Sequence, residues 1–133
     1  MPEPFKFELV SPERLLVSGD VEQVLVPGAE GDMTVLARHA TVLSTLRPGV
    51  LDIRFPEGRS QRFFIRGGFA EVNPGGLIVL AETAIDLDEL KAEQLAQAIK
   101  DAEEDVADLS DDARDRAQTK LDQLRQVQAA LSL

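Results

Sequence analysis

Asn73-Pro-Gly-Gly-Leu-Ile-Val-Leu-Ala-Glu-Thr-Ala-Ile-Asp-Leu-Asp-Glu-Leu-Lys-Ala-Glu-Gln-Leu95 is where the chain changes its period. The stretch opens on a turn, Asn73 to Gly76, and enters a short apolar run, Leu77 to Ala81. A run of that length bounded by turn residues reads as a buried strand. From Asp86 the leucines fall at helical intervals, and neither glycine nor proline occurs again. One side of this junction is sheet and the other is helix.

Upstream of it the period is two. Phe5, Phe7 and Leu9 alternate with Lys6 and Glu8, and Leu51, Ile53 and Phe55 alternate with Asp52 and Arg54. Alternation puts one face on a core and the other in water, the habit of antiparallel sheets. Turn signals recur at Ser18-Gly19-Asp20, Pro27-Gly28, Pro48-Gly49, Pro56-Glu57-Gly58, Gly67-Gly68 and Asn73 to Gly76. Closely spaced turns between short strands predict a sandwich or barrel. Pro56 to Gly58 should join Val50–Phe55 to Ser60–Arg66 as a hairpin, and Asn73 to Gly76 should join Phe69–Val72 to Leu77–Leu80 as another.

Downstream, Leu87, Leu90, Leu95, Ile99, Ala102, Val106 and Leu109 recur three to five residues apart. The pattern resumes at Ala113, Ala117, Leu121, Leu124, Val127 and Leu131. Asp86 with Glu89 is the expected cap of a first helix, and Ser110 ahead of Asp111 and Asp112 that of a second. The fold class expected is therefore α+β. An antiparallel β-sandwich over residues 1–85 precedes an antiparallel two-helix hairpin over residues 86–133. The seam of the hairpin is narrow and rich in alanine, which makes it marginal alone.

Composition narrows the function. The net charge is −10, which opposes nucleic acid and anionic lipid, both read by an excess of Lys and Arg. No Tyr or Trp is present, so base or sugar stacking has little to work with. Without cysteine, thiol nucleophiles and thiolate metal sites are excluded. The N-terminus has no basic region followed by an apolar run, so no signal peptide is expected. No apolar run is long enough to span a bilayer, so no direct membrane insertion is expected.

The densest chemistry lies in Val26–Ala40, where Glu30 and Asp32 flank Gly31, and Arg38 stands beside His39, the single histidine. A metal site is disfavoured, because His39 has no second nitrogen or sulfur ligand to join it. Hydrogen bonding of His39 to loop backbone is favoured several to one over catalysis. Glu30 and Asp32 could pair as glycosidase carboxylates, but the aromatic cleft is lacking. An acidic contact loop for a protein partner and a plain solvated turn are equally open on residues alone. Gly67-Gly68 and Gly75-Gly76 open no helix and carry no Lys-Ser/Thr pair, so they are read as tight turns and not phosphate loops.

Four segments in series resemble the epsilon subunit family of F-type ATP synthases. They are Gly28-Ala29-Glu30-Gly31-Asp32 through His39-Ala40, then Pro48-Gly49, then Arg66-Gly67-Gly68-Phe69-Ala70-Glu71-Val72, then Val79-Leu80-Ala81-Glu82-Thr83-Ala84. The likeness covers essentially the whole chain. Thr34, Ala37-Arg38 and Thr41-Val42 depart from the family pattern. The resemblance implies a non-catalytic central-stalk subunit of a proton-translocating enzyme, coupling the gamma subunit to the c ring and contacting the alpha and beta subunits transiently. It implies a peripheral place on the cytoplasmic face of the bacterial inner membrane. It assigns Glu30 and Asp32 to the c-ring end, and Arg38 and His39 to the same contact surface near gamma. Most of the affinity is expected from apolar sandwich surface packed on gamma.

The family also implies a second role, an ATP-sensing hairpin that inhibits hydrolysis. The matching motif is Leu87-Asp88-Glu89-Leu90-Lys91-Ala92, with Lys91 where the family carries arginine. Lysine lacks the planar two-pronged geometry, so the exchange is not neutral. Residues 86–133 also hold thirteen acids and six bases, and an acidic helix is repelled by the acidic segment of the beta subunit against which it would dock. Weak or absent ATP binding, no other cofactor, and weak inhibition are the expectations. An unrelated β-sandwich binding module or hydrolase using Glu30, Asp32 and His39 is the alternative from another class.

Overall fold

Phe7 and Leu9 are fully buried while Lys6 and Glu8, which alternate with them, are exposed, which is the predicted alternation of strand β1 (Phe5–Val10). The structure is a computed structural model and describes residues 3–133. Seven more strands follow: β2 (Leu15–Val21), β3 (Gln23–Gly28), β4 (Gly31–Val35), β5 (Val42–Thr45), β6 (Gly49–Arg54), β7 (Ser60–Asn73) and β8 (Gly76–Asp86). Two helices close the chain, α1 (Ala92–Asp108) and α2 (Asp111–Leu131). Both predicted hairpins form. Arg54 pairs with Ser60 across the Pro56-Glu57-Gly58 turn, and Asn73 pairs with Gly76 at the other.

The strands hydrogen-bond in the order β2-β1-β8-β7-β6-β3-β4, with β5 also on β7. Strand β7 explains how one ladder makes two layers. One of its edges pairs with β8 along its length. Its other edge is shared: Ser60–Ile65 pairs with β6 and Phe69–Val72 with β5. Between these segments stand Gly67 and Gly68, at φ +77° and +108°. The predicted tight turn is therefore a corner inside a long strand, where the ladder passes from one layer to the other. A side chain at Gly68 would overlap the Leu80 carbonyl oxygen and come within 2.9 Å of the Ala81 Cα. Ser18-Gly19-Asp20, also read as a turn, lies inside β2, with Gly19 opposite Phe7.

One pairing departs from the all-antiparallel expectation. β1 runs parallel to β8, with Phe7 opposite Leu77 and Leu9 opposite Val79, so the sheet is mixed. Parallel neighbours need a long connection, and here everything from β2 to β7 supplies it. The sandwich core includes Leu9, Val24, Val26, Leu51, Ile53, Ile65 and Val79, all at 0% exposure. Each such side chain contributes about 1.5–3 kcal/mol by leaving water. No charged residue is buried among the described residues.

The chain divides after Leu87 into two compact units. The expected cap at Asp86 does not form. Asp86 ends β8 opposite Phe63 and accepts a hydrogen bond from Gln61 at 2.9 Å. The ladder to β7 continues through this point and holds the backbone extended. The first helix starts later, with Lys91 as its cap residue and the Lys91 N–H donating to Gln94 Oε1 at 2.8 Å. Ser110 does precede α2, with Asp111 and Asp112 in the first turn. In the helical unit α1 buries Leu95, Ala98, Ile99 and Ala102, and α2 buries Ala117, Leu121, Leu124 and Val127. The helices pack on each other, and Arg125 donates to Glu103 across them at 3.1 Å. Leu109, expected in the seam, is 44% exposed at the end of α1.

Candidate contact site

Gly28 and Gly31 pair across a two-residue turn, Ala29-Glu30, that joins β3 to β4. The backbones approach so closely that a Cβ on Gly28 would sit 2.7 Å from the Gly31 carbonyl oxygen. The connector from β5 to β6 runs alongside this tip and straps it. Ala29 N–H donates to Thr45 O at 2.8 Å, and Arg47 N–H donates to Pro27 O at 3.0 Å. The Arg47 guanidinium donates through Nη1 to Gly28 O at 2.7 Å, and through Nη2 to the Asp32 carboxylate. Its side chain is only 24% exposed against 57% for Asp32. Glu30 projects from the exposed tip.

Arg38 and His39 stand beyond the other end of β4. That strand has five residues, a length of about 16 Å. Arg38 takes a left-handed φ of 65° and its Nε lies 3.2 Å from a Glu3 carboxylate oxygen, both side chains being exposed. His39 Nδ1 is 2.9 Å from Ala40 O. A carbonyl only accepts, so Nδ1 carries the proton. This is the structural role favoured for a lone histidine. A groove of about 510 Å³ adjoins the pair, lined also by Lys6, Leu36 and Asn73. The structure thus gathers Glu30 and Asp32 on one tip and Arg38 with His39 at the other end of the strand. It does not assemble all four into one cluster.

Asp88 lies in the turn between β8 and α1, and Lys91 caps α1. A helix start attracts phosphate through its free N–H groups, and Lys91 adds to that pull. Glu93 in the first turn opposes it. Among the described residues no group of three His, Cys, Asp or Glu side chains could hold a metal ion, and no helix is long and apolar enough to cross a membrane.

Sequence reasoning missed two features. Arg47 was hidden because spacing does not show which connector lies beside which hairpin. The second is the place of the expected apolar surface, which is a row on the outer face of the sandwich. Leu15 pairs with Val10, Val10 with Leu80, and Leu80 with Phe69, so the row crosses β2, β1, β8 and β7. Leu43 on β5 stands two residues from Thr45, the partner of Phe69, and so extends the row. Leu15, Leu43, Phe69 and Leu80 are 36–68% exposed. The signal was available: Leu77 to Ala81 is apolar on both faces, where one core face needs only alternation.

The family described as the beta-sandwich domain of the ATP synthase delta/epsilon chain matches residues 4–87. An ATP synthase epsilon chain of Mesorhizobium japonicum is 48% identical over 98% of both chains. The chain belongs to the ATP synthase epsilon-chain family. Another epsilon chain, from Parvibaculum lavamentivorans, is 52% identical over 96% of this chain and 97% of its own. Among solved structures, a chain of the Euglena gracilis mitochondrial ATP synthase OSCP/F1/c-ring assembly superposes with a TM-score of 0.77 at 28% identity, covering 98% of this chain and 83% of that one. A chain from the Tetrahymena thermophila mitochondrial ATP synthase central stalk and c ring shares the fold, with a TM-score of 0.69 at 18% identity over 94% of this chain and 96% of that one. An epsilon chain is a structural and regulatory subunit of its complex and not a catalytic one. Membership sets aside the unrelated binding module and the hydrolase built on Glu30, Asp32 and His39.

Proposed function

We propose that the chain is a rotor subunit of the central stalk of a proton-translocating ATP synthase, joining the gamma subunit to the c ring. The observation that carries this is the exposed row from Leu15 to Phe69 on a rigid sandwich. Exposed apolar side chains aligned across four strands mark a protein contact, and a close-packed interior transmits force without deforming. We assign this row to gamma, the Glu30–Asp32 tip to the polar loops of the c ring, and Arg38 with His39 to the neighbouring contact near gamma. The chain then sits at the cytoplasmic face of the bacterial inner membrane through its partners. Tagged chain purified from membranes should bring down gamma and the c ring; recovery alone would count against the reading.

The hairpin's charge disfavours strong regulation by ATP. Its thirteen acids against six bases, and Glu93 beside Lys91 at the start of α1, both oppose an anionic nucleotide and an acidic docking segment. Deleting Asp88–Leu133 keeps the β7–β8 ladder, because Leu87 N–H still donates to Arg62 O. ATP hydrolysis by the assembled enzyme should then change by less than about twofold, as expected where like charges already weaken docking. A large rise on deletion would restore the inhibitory role. Nucleotide titration of the intact chain, followed by fluorescence or calorimetry, should show no saturable binding of ATP.

A further inference from the structure

We propose that Arg47 is the positioning residue of the contact tip, so that Glu30 alone is the carboxylate presented to the partner. This rests on reading the β3–β4 tip as a rotor contact. Three observations carry it. The Arg47 guanidinium reaches both strands of the hairpin, the Gly28 carbonyl on β3 and the Asp32 carboxylate on β4. Backbone bonds at Ala29–Thr45 and Arg47–Pro27 anchor the end of β5 and the connector that follows it to the tip. The arginine is mostly covered while Glu30 is exposed.

Asp32 is therefore not a free contact charge. Its carboxylate is neutralised inside the chain, and with Arg47 it forms a strap around the turn. A two-pronged arginine fixes geometry as well as charge. The tip as a whole carries one net negative charge, at Glu30, held at the end of a rigid hairpin. Holding it there avoids an ordering cost on binding.

The test uses full-length variants and two readouts: hydrogen exchange of the Ala29 amide in the free chain, and rebinding to ATP synthase stripped of this subunit. The double variant Arg47→Ala with Asp32→Asn keeps the net charge of the tip, so any loss reports position and not charge. It should speed Ala29 exchange by about tenfold, within the range for loss of a charged hydrogen bond, and weaken rebinding by a similar factor. Arg47→Ala alone should also weaken rebinding, although it makes the tip more negative. Arg47→Lys should fall between, because it keeps the charge without the second prong. The proposal is overturned if the double variant rebinds like the parent, or if Arg47→Ala binds more tightly, which is the result for an Asp32 released to the partner. If Glu30→Gln rebinds unchanged while Ala29 exchange still accelerates in the double variant, the strap stands and the contact reading of the tip falls.

Discussion

Phe69→Glu combined with Leu80→Glu releases the chain from the assembled enzyme. The two residues are direct partners between β7 and β8, and both are more than a third exposed on the outer face. Changing them removes the centre of the apolar row and places two carboxylates in a contact that must be dry. Burying an unpaired charge costs several kcal/mol, and truncating an apolar anchor at an interface centre costs about 2 kcal/mol or more. Together these correspond to at least about a thousandfold weaker rebinding. The fold should survive, since neither side chain reaches the core. Like charges facing each other across a strand pair cost only about 0.2–1 kcal/mol. Rebinding to stripped enzyme, with thermal unfolding of the free chain as control, reads both effects. Normal rebinding by a folded double variant would move the gamma contact to another face.

Gly68→Ala is expected to cost the sandwich about 3 kcal/mol or more, placing it among the severe single changes. The residue holds a left-handed φ at the corner of β7, and a Cβ there meets the backbone of Leu80 and Ala81. Backbone cannot step aside as a side chain can. For a unit of this size the unfolding midpoint should fall by about 15 °C. Gly75→Ala is the matched control. A Cβ at that position approaches only the Asn73 side-chain oxygen, at 3.1 Å, so its midpoint should barely move. Equal midpoints for the two variants would contradict the two-layer role of the corner.

How much of this was legible in the chain follows from range. Alternation in β1 and β6 and the turn residues at Pro56–Gly58 and Asn73–Gly76 are local, and they located strands and hairpins correctly. The same local logic misread Gly67-Gly68 as a turn and Asp86 as a cap. In both places the partner strand decides: β8 runs past the glycines and β7 holds Asp86 in the ladder. The parallel pairing of β1 with β8 joins segments some seventy residues apart, which no local pattern encodes. At the site, Glu30 and Asp32 were legible as charge beside a turn. Arg47 was not, because its role arises only when the β5–β6 connector packs against the tip. Arg38 and His39 lie past the end of β4, while Asp32 stands near its start and Glu30 in the turn before it, a separation that sequence spacing alone does not show.

Proton-driven ATP synthesis in membrane vesicles lacking this chain, measured before and after adding it back in full length, tests the rotor reading most directly. The chain should bind and restore synthesis, whereas the Phe69→Glu, Leu80→Glu variant should do neither. Synthesis that runs at the same rate without the chain, or that the double variant restores fully, would contradict a coupling subunit docked through this face.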